Sequence, residues 1–206
     1  MSTENYIVHV VDDEEAVRKS LAFLLTMSGL AVRMHESAAA FLSVAPGLPS
    51  GVLVTDLRMP DMNGVELLSA LRDAGAMMPA IVVTGHADVP MAVAAMKAGA
   101  LDFIEKPYSD EVLIAAIQRA ALEIEAATSP AEDTGAIRSK INQLSDRERQ
   151  VLSAVVTGLP NKTIAYNLDI SPRTVEVHRA NVMAKMQARS LPELVRMVMA
   201  IEVPAR

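Results

Sequence analysis

The chain has no cysteine among its 206 residues. Disulfides and thiolate metal sites are excluded, and a reducing, cytoplasmic setting is expected. No apolar run approaches the roughly 18 residues a membrane helix needs. Residues 1–5 are polar and lack a basic start followed by an apolar stretch, so no secretory leader is expected. No internal repeat is apparent.

Charge is present but unevenly placed. The total of −6 resolves into −9 over residues 1–127, zero over 128–143 and +3 over 144–206. The acidic part suits a phosphate or cation site, and the basic part suits a nucleic-acid surface.

Four short apolar runs end at polar residues: Ile7–Val11 before Asp12 and Asp13, Val52–Thr55 before Asp56, Ala80–Val83 before Thr84, and Leu101–Ile104 shortly before Lys106. Such runs, separated by helical patterns, read as buried parallel strands, with Ala31–His35 a weaker fifth. Helical spacing predicts Glu14–Ser28, Ala38–Val44, Val65–Ala74, Pro90–Ala98 and Asp110–Ile124 as the alternating helices. The fold class is α/β, a doubly wound five-stranded parallel sheet of flavodoxin-like type. The breaker-rich stretch 128–135 marks a boundary. After it come four short helices, opened by the capping boxes Ser145–Glu148 and Ser190–Glu193, by Asn161 as a cap, and by Ser171-Pro172. They fit a helix-turn-helix bundle. The expected division is 1–125, a linker over 126–143, and 144–206.

In such sheets the active crevice lies at the carboxyl ends of the strands. Asp12, Asp13, Asp56, Thr84 and Lys106 therefore converge on one edge. Adjacent carboxylates at a strand end call for a cation, and Mg²⁺ needs only one or two of them plus phosphate oxygens and water. Asp56 can ligate the metal and also attack phosphorus, forming an aspartyl phosphate. Lys106 neutralises phosphoryl oxygens, Thr84 hydrogen-bonds one of them, and Lys106-Pro107 is a candidate cis bond. Each residue alone has an ordinary structural explanation, as a cap or a turn; their joint order does not.

Val11-Asp12-Asp13-Glu14, Val54 to Pro60, Val83-Thr84-Gly85-His86 and Asp102 to Pro107 resemble the signature of two-component receiver domains. The resemblance covers residues 1 to about 125. It implies Asp56 as phosphoacceptor and Mg²⁺ held by Asp13, Asp56 and the backbone carbonyl of Arg58, with Asp12 acting directly or through water. It also implies Thr84 and Phe103 as the switch pair. Many receivers have Tyr at the Phe103 position, so here burial alone must select the rotamer.

Leu144 to Leu152, Asn161 to Ala165 and Ser171 to Arg179 resemble the LuxR-type helix-turn-helix. The whole architecture is similar to the NarL/FixJ family of response regulators. Thr84 to Pro90 and Pro172 to Glu176 are most like the branch that activates nitrogen-fixation or microaerobic genes. If Val175, Val182 and Met186 face the core, then Arg173, Glu176, Val177 and Ala180 face outward. A recognition helix offers such residues to the major groove: Arg173 to guanine, Glu176 to cytosine N4, Val177 to a thymine methyl. Lys162, Thr163, Thr174, His178 and Arg179 are candidates for phosphate contacts, though His178 lies close to the core stripe and can simply pack. Arg147 and Arg149 read as solvated first-helix charges.

The resemblance implies a cytoplasmic regulator that is not an enzyme beyond its own phosphoryl transfer and dephosphorylation. A sensor histidine kinase phosphorylates Asp56. A homodimer then forms through Val89, Met91, Val93 and Lys97 and binds double-stranded promoter DNA, where RNA polymerase is the further partner. Two rivals stand beside it. A haloacid-dehalogenase-type phosphatase needs an Asp two residues after the nucleophile, where this chain has Arg58. A sigma-like promoter subunit fits Leu144–Leu152 but not an acidic phosphoacceptor domain in front.

Overall fold

The computed structural model describes residues 6–49, 51–86, 88–126 and 134–202. The first part alternates strand and helix: β1 (Ile7–Val11), α1 (Glu15–Met27), β2 (Ala31–His35), α2 (Ala38–Val44), β3 (Gly51–Asp56), α3 (Gly64–Asp73), β4 (Ala80–Thr84), α4 (Val89–Ala98), β5 (Asp102–Glu105) and α5 (Asp110–Ala126). Only helices follow: α6 (Thr134–Asn142), α7 (Asp146–Val156), α8 (Asn161–Leu168), α9 (Pro172–Met186) and α10 (Leu191–Glu202). Two compact units result, residues 1–87 with 97–129 and residues 88–96 with 130–206.

The five strands are parallel in the order β2-β1-β3-β4-β5. This is a doubly wound sheet whose strand order reverses beside β1, so the crevice between β1 and β3 is the switch point where ligands bind. β3 and β4 are buried almost throughout because helices cover both sheet faces. On one face Val8, Val10, Val52, Val54, Ile81, Val83 and Ile104 meet Leu21 and Leu25 of α1 and Leu113 and Ile117 of α5. Burying one such side chain contributes about 1.5–3 kcal/mol, so this layer dominates the unit's stability. On the other face His9 is fully buried against His35 and Phe41, with ring centroids 5.4 and 5.6 Å away.

The second unit has its own core of Val151, Leu152, Val155, Ile164, Val175, Val182, Met186 and Leu194. Val175, Val182 and Met186 are buried as their spacing predicts. The expected linker is partly structured: Ile137 of α6 belongs to this core, and Arg149 donates to the carbonyls of Ile141 and Asn142 at the C-terminal end of α6. Residues 127–133 of that expected linker lie outside the described residues.

Candidate functional site

Register alone brings the acidic residues together. Val11 pairs with Thr55 across β1 and β3, so Asp12 and Asp56 leave the sheet side by side. Thr84 pairs with Glu105, which places Lys106 one residue further along the same edge. The Lys106 Nζ lies 2.8 Å from Asp56 Oδ1 and 3.4 Å from Asp12 Oδ2. One ammonium thus bridges two carboxylates, whose side chains are only 11 % and 5 % exposed.

Each carboxylate is oriented by main chain as well. Asp56 Oδ2 accepts from the Arg58 N–H at 2.6 Å, and Asp12 Oδ1 accepts from the Glu14 N–H at 2.9 Å. Arg18 donates to the Asp12 carbonyl at 2.7 Å. The Leu57 N–H bonds the Val83 carbonyl, and the Gly64 N–H bonds the Leu57 carbonyl. A Cβ on Gly64 would lie 2.6 Å from the Asp56 carbonyl oxygen, so only glycine lets α3 approach the end of β3 this closely. The Asn63-Gly64 pair was the signal for it. Asn63 completes a capping box with Glu66 at this helix start.

Electrostatics follow from crowding. Burial raises the Asp12 pKa, and the Asp56 charge adds to this against the Glu14 N–H and Lys106. Burial works against the Lys106 ammonium, but the hydrogen bond and charge of Asp56, joined by Asp12, outweigh it and raise its pKa. Two carboxylates sharing one cation leave negative charge uncompensated, which fits a divalent ion needing two carboxylates and several other oxygens. Asp13 is exposed, because successive residues at a strand end point apart. Among the described residues no group of three or more His, Cys, Asp or Glu is set to hold a metal. Asp12 and Asp56 are hard oxygen donors of the kind Mg²⁺ prefers, with its other positions left to further oxygens and water.

Thr84 is fully buried, and its hydroxyl both donates to the His86 carbonyl and accepts from the His86 N–H at 3.2 Å. Phe103 is half-buried and pairs in register with Val82, two residues before Thr84, so Thr84 and Phe103 share a sheet face. The Lys106-Pro107 bond is cis. Among the expected dimer residues, Lys97 is exposed and Val89 and Met91 are half-buried. Val93 is buried, at 2 % exposure.

In the second unit Ser171 caps α9 by accepting from the Thr174 N–H at 3.0 Å, with Pro172 in the first turn. Arg173, Glu176, Val177 and Ala180 are exposed on α9, and Lys162 and Thr163 are exposed on α8. Thr174 is half-buried, with its hydroxyl 2.8 Å from that of Ser171. One expectation needs correction. Asn161 does not cap α8; Pro160 occupies the cap position, and Asn161 Oδ1 instead accepts from Arg179 at 2.7 Å. Arg179 is half-buried, with its pKa lowered by burial, and ties α9 to the start of α8. His178 is half-buried and its Nδ1 has no hydrogen-bond partner, in keeping with packing. Glu148 is 4 % exposed and joins Lys185 at 2.6 Å, which with the Ser145 N–H pulls its pKa to about 2.

Comparison with known proteins finds a family for each part of the chain. Residues 8–118 match the response regulator receiver domain, and residues 142–198 match the bacterial regulatory proteins of the luxR family. The chain is 68% identical over 196 residues to the transcriptional regulatory protein FixJ of Rhizobium meliloti (strain 1021), covering 95% of this chain and 96% of that protein. It is 59% identical to FixJ of Azorhizobium caulinodans over 95% of this chain and 93% of that one. Among solved structures, full-length FixJ from B. japonicum is 47% identical, with a TM-score of 0.58 over 96% of this chain and 98% of that one. No helix among the described residues is long and apolar enough to cross a membrane.

Proposed function

The chain belongs to the response regulators that join a receiver domain to a LuxR-type DNA-binding domain, and from that membership we propose how its residues divide the work. It is a phosphorylation-activated transcriptional regulator of a two-component system, close to the FixJ proteins. A receiver implies a histidine kinase partner, and the LuxR-type domain implies DNA. By its likeness to the FixJ proteins, the target promoters are those of nitrogen-fixation or microaerobic genes.

The observation that carries the assignment to residues is Lys106 bridging Asp56 and Asp12 at one strand edge. An Asp56 carboxylate oxygen attacks the phosphorus of a phosphohistidine and the imidazole leaves, yielding an aspartyl phosphate. Receiver domains bind Mg²⁺ at the phosphorylation site. Here Asp12, Asp13, Asp56 and the Arg58 carbonyl would hold it, and it would neutralise phosphoryl oxygens. The Arg58 N–H orients the attacking carboxylate. Lys106 moves its charge from the carboxylate pair toward the transferred phosphoryl group. Thr84 gives up its bonds to His86 to reach a phosphoryl oxygen, and Phe103 turns into the space left.

The output is a homodimer formed through α4, with Val89, Met91, Val93 and Lys97 contributing. Closed two-fold symmetry uses the patch twice and sets two recognition helices on half-sites about one helical turn apart, or a multiple of it. Arg173, Glu176 and Val177 read bases, and Lys162, Thr163 and Thr174 hold the backbone. RNA polymerase is the partner at the promoter. The test is sedimentation and DNA binding with and without acetyl phosphate plus Mg²⁺. Dimerisation and tighter promoter binding only with both reagents is the expected result; a phosphorylated monomer would overturn the dimer reading.

A further inference from the structure

Among the described residues of the second unit, the large apolar side chains left in water are Val177 and Tyr166, at 55 % and 88 % exposure. Val177 lies on the base-reading face of α9. Tyr166 lies on α8, whose buried residues are Ile164 and Ala165. At about 100° per residue, Tyr166 stands opposite that buried pair, about 40° from Lys162 and about 60° from Thr163. An ammonium, a hydroxyl and a phenol therefore share one exposed helix face. All three are side-chain types that hydrogen-bond DNA phosphates. The ring has no packing role in α8.

We propose that Tyr166 docks on the DNA backbone beside Lys162 and Thr163, its hydroxyl donating to a phosphate oxygen and its ring covering the adjoining sugar. This inference rests on the DNA-binding reading. A phosphate contact carries no base information, so Tyr166 contributes to affinity for every sequence alike. The phenol is neutral, so its removal releases no counterion and leaves the salt dependence unchanged. Lys162 differs on that point, and Arg173 on the first.

The test uses the full chain, treated with acetyl phosphate and Mg²⁺, and a random-sequence DNA duplex. Tyrosine nitration by tetranitromethane, mapped by mass spectrometry, has built-in references, since Tyr6 is buried and Tyr108 half-buried. Tyr166 should be nitrated readily in the free protein and protected several-fold by the duplex. Tyr166→Phe should weaken binding about two- to tenfold, with the salt slope retained. Lys162→Ala should flatten that slope by about 0.9. Undiminished nitration of Tyr166 in a duplex-bound chain would overturn the proposal. So would wild-type DNA affinity in Tyr166→Phe and Tyr166→Ala alongside reduced transcription with purified RNA polymerase, which would assign the side chain to a protein contact. A wild-type chain that binds no duplex at all would instead sink the DNA-binding reading on which the proposal stands.

Discussion

In the first unit the buried charges are the chemical ones: Asp12 and Asp56 sit almost out of water around Lys106. In the second unit the buried charges hold helices together. Glu148 joins Lys185, and Arg179 joins Asn161, while Arg173, Glu176 and Lys162 stand in solvent. The difference follows from what each surface must do. A small phosphoryl group is met in a crevice, where low dielectric strengthens each interaction. A DNA groove must be met by side chains that project from a rigid helix, and the rigidity has to come from pairs set behind them.

The largest expected effect tests the first half of that contrast. Asp56→Asn keeps the shape but removes the nucleophile, so acid-labile, hydroxylamine-sensitive phosphorylation and activated transcription should both vanish. Full labelling of the variant by a phosphorylated kinase would place the acceptor elsewhere.

Next comes Gly64→Ala. Its methyl would press on the Asp56 carbonyl at 2.6 Å, and overpacking of this kind costs about 1–3 kcal/mol. Gly47→Ala is the control, since nothing lies within 4 Å of a Cβ there. Denaturant unfolding should separate the two variants, and phosphorylation by acetyl phosphate should slow only in the first. Equal behaviour would mean the approach of α3 is not what positions the phosphoacceptor.

The second half of the contrast is sharpened by comparing arginines. Arg173→Ala should cost about 1–3 kcal/mol on the specific site and relax the preference at one base pair. Arg179→Ala should lower the thermal stability of the second unit without changing which base is preferred. If Arg173→Ala weakens specific and random DNA equally, Arg173 is not a base reader.

Much of this was legible in the sequence. Strands covered on both faces are uninterrupted apolar runs, so the sheet, its edge and the five residues at that edge could be read directly. What escaped depends on partners far along the chain. Arg179 sits at a plausible phosphate position, and its commitment to Asn161, 18 residues earlier, leaves no periodic trace. Helix α6 offers only Ile137 and Ile141 as apolar anchors and follows a breaker-rich stretch.

The smallest expected effect is on acid stability, and it should separate the units by pH. Burial, then the charges of His35 and Arg33, lower the His9 pKa to about 4 from an ordinary 6.5. Unfolding lets His9 gain a proton, so its contribution to the first unit is present above about pH 6.5 and lost as pH falls toward 4. The Glu148 pKa of about 2, against an ordinary 4.5, means its contribution is present above about pH 4.5 and lost only as pH falls toward 2. Hydrogen exchange followed separately over residues 6–86 with 97–126, and over 134–202, should show the first unit loosening at the higher pH. The reverse order would contradict the burial of His9 as the controlling feature.

The hydrogen bonds around Gly64 have a mechanical meaning. Leu57 is tied to β4 and Gly64 is tied to Leu57, with no room for an added methyl, so the backbone behind Asp56 is stiff. After β4 the restraint is of another kind, a side chain on main chain: the Thr84 hydroxyl is engaged with His86 through two bonds of 3.2 Å. If Asp56 takes up a phosphoryl group, the backbone behind it has no slack to give, and those two bonds are the ones Thr84 would have to exchange.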